Sequence, residues 1–411
     1  LTNLDYEITQ GAYSGAIVCQ LYDGLVENCS VEGAININNT TLAEAAASYS
    51  GVNHGGLVGR AVRSTIKNCT NDIDITITSL TDPTLNIGCT VGGLVGGVSV
   101  DCSIEGLTNN GNITYVGTVK LGNTYISGIV GKNDDSNGQN DFVAFNNCTN
   151  NGNISTAKDS ASQGEILLSG ITGRLEINED VVCDKLVNTG DITLNGACTA
   201  TRLSGVIGYT GRASLTNCSN SGNIAINTGA QTTLAYLAGI MAGTIYADKI
   251  DNCHNTGSLT IGDGLACTGA VRLCGCCSTT ANDTTKTEPT AITNCTNRGA
   301  ISIGNCSNTN KESGGRLYIG GVVGTMNDGD MSNCINYPTG TITVKTGNWA
   351  AEYMIGGLVA YVGVNNATCV ASTVADSSNQ ADIMIAPVGD AAKGELGGIS
   401  AEAYYNKKGA I

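Results

Sequence analysis

Gly55-Gly56-Leu57-Val58-Gly59, then Asn68-Cys69-Thr70-Asn71, then Ile73-Asp74-Ile75, is the stretch whose reading decides the fold. The same phrases return as Ser127-Gly128-Ile129-Val130-Gly131 with Asn147-Cys148-Thr149-Asn150-Asn151-Gly152-Asn153-Ile154. They return again as Ser204-Gly205-Val206-Ile207-Gly208 with Asn217-Cys218-Ser219-Asn220-Ser221-Gly222-Asn223-Ile224. With the second residue of the apolar phrase as landmark, copies fall near Ala16 and at Gly56, Gly93, Gly128, Gly170, Gly205, Gly239, Gly275, Gly321, Gly357 and Gly398. From Gly56 onward the spacing runs from 34 to 46 residues. A period of that size marks a stacked-repeat architecture, in which each unit buries its apolar face against its neighbours. Roughly ten copies fill residues 1–411, so one continuous solenoid is expected, with no segment left for a separate domain.

Within a copy the phrases are short, rich in Val, Ile and Thr, and punctuated by Gly and Asn, which is strand-and-turn grammar. Leu57-Val58, Thr65-Ile66-Lys67 and Asp74-Ile75-Thr76-Ile77 alternate as half-buried strands do. Leu42 to Ala47 is the one helix-like stretch. Three short strands per copy, joined by turns, predict an all-β, parallel β-solenoid of about ten coils, each pairing like with like at about 4.8 Å. Such a rod is on the order of 48 Å long. Composition agrees: 56 Gly and 4 Pro suit many tight turns and unbroken ladders, and 4% aromatic residues suit a narrow interior of stacked aliphatics.

The 18 cysteines raise the question of disulfides or metal. Six residues before the Ile or Leu of the third strand stand Cys29, Cys69, Leu107, Cys148, Leu186, Cys218, Cys253 and Cys295, and Cys334 joins them if two extra residues at Tyr337-Pro338 are allowed for. Leucine in the same position reads as a buried apolar site where the thiol is a small hydrophobe. Cys274, Cys276 and Cys277 form one tight cluster without His54 or His254 nearby in sequence, so metal is not expected. Cys19, Cys89, Cys198, Cys267 and Cys306, outside the ladder, are the better disulfide candidates. Unpaired thiols fit a secreted protein best in an anaerobic habitat. Asn28, Asn68, Asn147, Asn217, Asn252, Asn294 and Asn333 precede the ladder cysteine, and Asn71, Asn150, Asn220, Asn255, Asn297 and Asn336 lie two residues beyond it. Stacked asparagines bond amide to amide along a fibre axis and tolerate left-handed turns, which accounts for sequons such as Asn68-Cys69-Thr70 without glycosylation.

Gly56-Leu57-Val58-Gly59 and Gly93-Leu94-Val95-Gly96, followed by the Asn-Cys-Thr-Asn-x-Gly-Asn-Ile phrase, resemble the GLUG-motif repeats of large bacterial cell-surface proteins. Similar repeats occur in adhesins and in the non-catalytic region of immunoglobulin A peptidases. The resemblance covers roughly Ala16 to Ser400. The peptidases carry a zinc His-Glu-x-x-His motif in a separate domain, and with two histidines 200 residues apart this chain does not take over that activity. The resemblance implies a surface-exposed bacterial rod used for adhesion or display.

Net charge is −15, which disfavours nucleic acid, since phosphate binding needs clustered Lys and Arg. No apolar run is long enough to span a membrane as a helix. Without a signal peptide or initiator methionine, the chain is expected to be a processed product or a piece of something longer. Leu4-Asp5-Tyr6-Glu7-Ile8 and Leu396-Gly397-Gly398-Ile399-Ser400 read as ordinary strands rather than caps, so further repeats or end-to-end stacking is expected.

Insertions at Asn133–Asp141, Ser278–Pro289 and Gly304–Arg316 are where loop-borne function would sit. In the first, Asn133, Asp135 and Asn137 before Gly138 match the start of a calcium loop, but Ala144 stands where a bidentate glutamate is needed. A solvated polar loop accounts for the same residues, and no cofactor is expected. A carbohydrate-active enzyme needs paired carboxylates in a groove. Asp23, Glu27, Glu165, Glu176, Glu179 and Asp180 are scattered in sequence, and with one tryptophan, Trp349, a sugar platform falls to tyrosines such as Tyr318, Tyr353 and Tyr361. Tyr404 and Tyr405 read as packing or turn residues. The expectation is therefore a non-enzymatic extracellular surface rod, adhesin-like, whose partner is a ligand on a host or neighbouring cell. The alternatives are a filament or stalk subunit joined to itself through the solenoid ends, and a β-helix enzyme acting on carbohydrate.

Overall fold

The computed structural model describes residues 1–8, 13–39, 52–80, 89–116, 118–119, 123–133, 142–158, 161–175, 181–227, 231–245, 249–280, 288–311, 315–345, 347–349, 351–363, 372–386 and 394–403. The helix-like stretch 42–47, residues 134–141 and 281–287 of the first two insertions, residues 312–314 of the third, and Tyr404 and Tyr405 lie outside these residues.

One coil shows the plan. Cys89–Gly92 lies in sheet I, Val95–Ser99 in sheet II, Cys102–Glu105 in sheet III, and Thr108–Asn109 with Ile113–Tyr115 in sheet IV. Every strand pairs in parallel with its equivalents in the coils before and after, as with Val91 between His54 and Ile126. Sheets I to IV contain 12, 11, 10 and 19 strands, and four two-residue strands from Gln231–Thr232 to Asn348–Trp349 form a small fifth sheet. The chain is thus an all-β, single-domain parallel β-solenoid. The finer count differs from the sequence reading: each coil turns through four sheets rather than three. The difference lies in the apolar phrase: Gly55-Gly56-Leu57-Val58 reads as one strand in sequence, but it is the bend between the sheet I strand Val52–Gly55 and the sheet II strand Val58–Val62.

Columns of like residues fill the interior. Sheet IV stacks Ile35, Ile75, Ile113, Ile154, Ile192, Ile224, Leu259, Ile301 and Ile342 in register. Sheet III faces them with Val26, Ile66, Ile104, Phe145, Cys183, Leu215, Ile250, Ile292 and Met331. These belong to one continuous core cluster. Fully burying each aliphatic side chain contributes about 1.5–3 kcal/mol.

The landmark glycines mark the bend between sheets I and II, and their reason is space. A Cβ on Gly205 would lie 2.1 Å from the Gly239 carbonyl oxygen of the next coil and 2.3 Å from Asn220 Cγ of its own coil. Gly56, Gly93, Gly128, Gly170, Gly239, Gly275, Gly321 and Gly357 are hemmed in the same way, each by the next coil's backbone and its own coil's asparagine. The two halves of the repeat phrase are therefore in contact across the interior. In the first coil both change together: Ala16 replaces the glycine, and Val31 occupies the asparagine register opposite Asn71.

Candidate functional site

Two ladders hold the coils together from within. Asn71, Asn109, Asn150, Asn188, Asn220, Asn255, Asn297, Asn336 and Asn379 form a column in which each Nδ2 donates to the Oδ1 of the next, eight bonds of 2.7–2.9 Å. Each Nδ2 also donates to a carbonyl of its own coil, for example Asn220 to Gly222 at 2.8 Å. A carbonyl only accepts, so the orientation of every amide is set by the network. The column includes Asn109, Asn188 and Asn379, which the sequence reading missed because the first two follow a leucine-bearing turn and the third follows Ser377.

Beside it runs the cysteine column. Cys69, Cys148, Cys218, Cys253, Cys295 and Cys334 are fully buried with Leu107 and Leu186, while Cys29 in the first coil is partly covered. Each thiol donates to the carbonyl two residues earlier, as Cys218 Sγ does to Thr216 at 3.3 Å. The residue between is left-handed: Asn28, Asn68, Asn147, Asn217, Asn252, Asn294 and Asn333 have φ of 52–57°. Gly106 and Lys185 take that place in the leucine coils. Burial pushes the Cys148 thiol up to about 12 and raises the Cys183 thiol well above its ordinary value. Cys276 reaches into the same region, its thiol donating to the carbonyls of Cys253 and Thr296 at 3.6 Å.

The 17 described cysteines are separate thiols. That corrects the disulfide candidates: Cys89, Cys198, Cys267 and Cys306 are buried packing residues, and Cys19 is exposed. Cys306 donates to the Gly262 carbonyl at 3.3 Å rather than meeting another sulfur. Of the calcium candidates, Asn133 is buried at the end of strand Val130–Asn133, while Asp135 and Asn137 lie outside the described residues. Among the described residues no group of three His, Cys, Asp or Glu side chains is placed to hold a metal ion. His54 occupies the inward column of sheet I, in register with Val91, and its Nδ1 lies 2.6 Å from Ser14 Oγ. Burial lowers its pKa to about 4. His254 opens the short strand His254–Asn255, half-buried and bonded to Thr296 and Asn252.

The outer flank carries the polar chemistry. Sheets I and II meet at a concave bend, and small residues line the bend on both sides: Gly55 and Gly59, Gly92 and Gly96, Ser204 and Gly208. One step outward, sheet I carries Tyr13, Asn53, Thr90, Tyr125, Leu167, Arg202, Tyr236, Arg272, Tyr318 and Met354 in register, of which Asn53, Thr90, Tyr125, Leu167 and Met354 are buried. Sheet II presents Arg60, Gly97, Lys132, Arg174 and Tyr209, with Thr279, Thr325 and Tyr361 further along. Side chains of the two walls interleave. Arg272 lies 4.6 Å from the centroid of Tyr236 and 5.4 Å from that of Tyr318. Arg202 lies between Tyr209 and Tyr236 at 5.5 and 5.6 Å, and pairs with Glu165. Arg174 covers Tyr209 at 5.2 Å and donates to Tyr125 Oη. Cation–π pairs of this kind contribute about 0.5–2 kcal/mol each as water is excluded.

At the far end the stripe turns acidic. Arg316 pairs with Glu352 at 2.6 Å, and Glu402 has its pKa raised by partial burial and then by Glu395. Glu352, Glu395 and Glu402, which the sequence reading did not name, are drawn to one end of the groove. They sit in different register columns, which is why no single repeat position disclosed them. Trp349, by contrast, is buried in the small fifth sheet. A further shallow depression of about 350 Å³ on sheet IV is lined by Asp74, Asn112, Asn153 and neighbours. There Asp74 and Asn112 accept backbone N–H bonds from the next coil, a structural duty.

With this geometry in hand, a family model described as the GLUG motif matches residues 50–78, which run from the sheet I strand Val52–Gly55 into the sheet IV strand of the same coil. The chain is a β-solenoid that contains a GLUG motif. It is also 27% identical over 202 residues to "Halomucin" of Haloquadratum walsbyi (strain DSM 16790 / HBSQ001). That match spans 49% of this chain and 2% of the halomucin sequence. No solved structure gives a significant match. Among the described residues no helix is long and apolar enough to cross a membrane.

Proposed function

We propose that the chain is a non-enzymatic, extracellular, adhesin-like rod that engages a surface-borne partner along its flank. The observation that carries this reading is the Arg–Tyr stripe, which runs from Tyr125 to Tyr318 through successive coils on one regular backbone. A stiff scaffold with an extended concave face is how solenoids bind. The GLUG motif supports a surface role. The test is retention of the purified chain, coupled to beads, on immobilised cell-surface extracts. Saturable retention that excess free chain competes away is expected; absence of retention overturns the reading. Sedimentation of the same sample addresses the filament alternative, since end-to-end assembly gives a concentration-dependent ladder of sizes.

A second reading, a carbohydrate-active enzyme, draws support from Glu352, Glu395 and Glu402 beside Arg316, since a carboxyl group with raised pKa is what a general acid needs. Release of reducing sugar that disappears in Glu402→Gln would establish it, and no release from any polysaccharide bound by the chain would remove it.

A further inference from the structure

We propose that the seam between the first two coils is an acid-operated flap, in which protonation of the buried His54 lifts residues 13–27 off the second coil. The seam departs from the later ones at three places. Val31 stands opposite Asn71, so no amide–amide bond crosses it, whereas the seams from Asn71 to Asn379 each carry one. Sheet I contributes two residues to it, Tyr13–Ser14, where the third coil contributes four, Cys89–Gly92. The inward sheet I column that holds Val91, Ile126, Leu168, Leu203, Leu237 and Leu273 in later coils holds His54 here.

Ser14 on the flap is the partner of the ring, its Oγ 2.6 Å from Nδ1. Nε2 and both amide atoms of Asn53 are walled in with no hydrogen-bond partner among the described residues. An imidazolium donates from both nitrogens, so the charged ring leaves one donor stranded in an apolar core. Lifting the flap takes Ser14 away and lets water reach the ring. Sheet IV is the hinge, because Ser30–Asn39 is held between Leu4–Ile8 and Thr70–Leu80. Across the moving side run Arg60 over Tyr13 and the ion pairs Arg63–Asp23 and Lys67–Glu27. Both ion pairs reach into solvent, where such pairs contribute little. Arg63 holds the Asp23 carboxyl below its ordinary value, so that pair stays charged while the ring titrates.

Among the described residues no charge faces the ring. The inward titratable groups on the strands around it are Cys69, Cys89 and Tyr115, all neutral in acid. The charged side chains of those strands stand on the outer face: Asp5, Glu7, Glu32, Asp72 and Asp74 on sheet IV, Glu27, Lys67 and Glu105 on sheet III, and Arg60 on sheet II. Glu44 and Asp82 lie outside the described residues, and His54→Leu, which leaves both in place, separates their titration from that of the ring. Burial holds the pKa of His54 at about 4 with the flap closed, against 6.5 in water. Protons therefore favour the open flap, whose population is level above pH 6.5 and rises about fiftyfold between pH 7 and pH 4.5.

The test is hydrogen exchange of the full chain at those two pH values, corrected for the intrinsic pH dependence of amide exchange. Opening at Val18–Tyr22 and Leu25–Glu27 is expected to show that rise, and Ile192–Leu194, several coils away, is expected not to. His54→Leu places there the residue that Leu168 supplies at the same column position, and is expected to abolish the rise. A rise below fivefold, an equal rise at Ile192–Leu194, or a rise that survives in His54→Leu overturns the proposal. Should the variant misfold, exchange of the imidazole C2 hydrogen in the native chain decides. A His54 midpoint near pH 4 is expected, and one above pH 6 overturns the flap.

Discussion

Replacing Asn220 by alanine tests whether the asparagine column is what joins the coils. The substitution removes three hydrogen bonds: from Asn188 Nδ2 at 2.7 Å, to Asn255 Oδ1 at 2.8 Å, and to the Gly222 carbonyl at 2.8 Å. It strands one N–H of Asn188, the Asn255 oxygen and the Gly222 carbonyl, all walled off from water. Each orphaned buried group costs about 1–3 kcal/mol, which places the total near 4 kcal/mol, at the upper end for a point substitution. In a solenoid that loss is local, because each coil contacts only its neighbours. The assay is hydrogen exchange followed by mass spectrometry. Amides of Ile224–Ile226 and Leu259–Ile261 are expected to exchange roughly a thousandfold faster, while those of Ile73–Ile77, several coils away, stay protected. Acceleration below tenfold at Ile224–Ile226, or an equal change at Ile73–Ile77, would refute the reasoning. Asn217→Gly is the control: Asn217 has φ of 54° and an exposed side chain, and glycine accepts that backbone, so a change under 1 kcal/mol is expected.

Two other outcomes follow from burial. His54 holds a pKa of about 4 in the folded chain against 6.5 when unfolded, so the unfolded state binds the extra proton between those values. Stability conferred by this site is full above pH 6.5 and falls as pH drops toward 4, by about 3 kcal/mol in all; His54→Leu should remove that slope from denaturation measured between pH 7 and 4.5. Cys218→Leu should fold, since Leu107 and Leu186 occupy the same column, at a cost below about 2 kcal/mol by urea melt, whereas Cys218→Asp should cost more than 3.

Why was the solenoid legible from sequence while the groove was not? The fold is written at short range. Gly205 and Asn220 recur because each is fitted to the other, and any coil that kept one without the other would clash or gape, so the phrase repeats visibly. The Arg–Tyr stripe obeys a looser rule. Arg202 and Tyr236 occupy the same register position in consecutive coils, and Arg174 enters from the other wall, so the unit of recognition is an interleaved pair rather than a repeated letter. Reading each column as one residue type hides it. The same holds for Glu352, Glu395 and Glu402, which meet only once sheets I and II are folded toward each other. The extra sheet escaped because the apolar phrase, read as one strand, spans the bend between Val52–Gly55 and Val58–Val62.

The asparagine amides all point the same way along the rod, while backbone N–H groups donate both forward and backward, so that each coil is bonded to its two neighbours alone. A pull along the axis therefore loads one inter-coil seam at a time, and tearing a seam frees a whole winding. From Gly205 to Gly239 that winding holds 34 residues, enough slack for about 110 Å of extended chain. Tethered between two bodies that drift apart, such a rod behaves less like a strut than like a sacrificial spring. It lengthens in discrete jumps, dissipates energy at each, and rewinds from whichever turns remain intact.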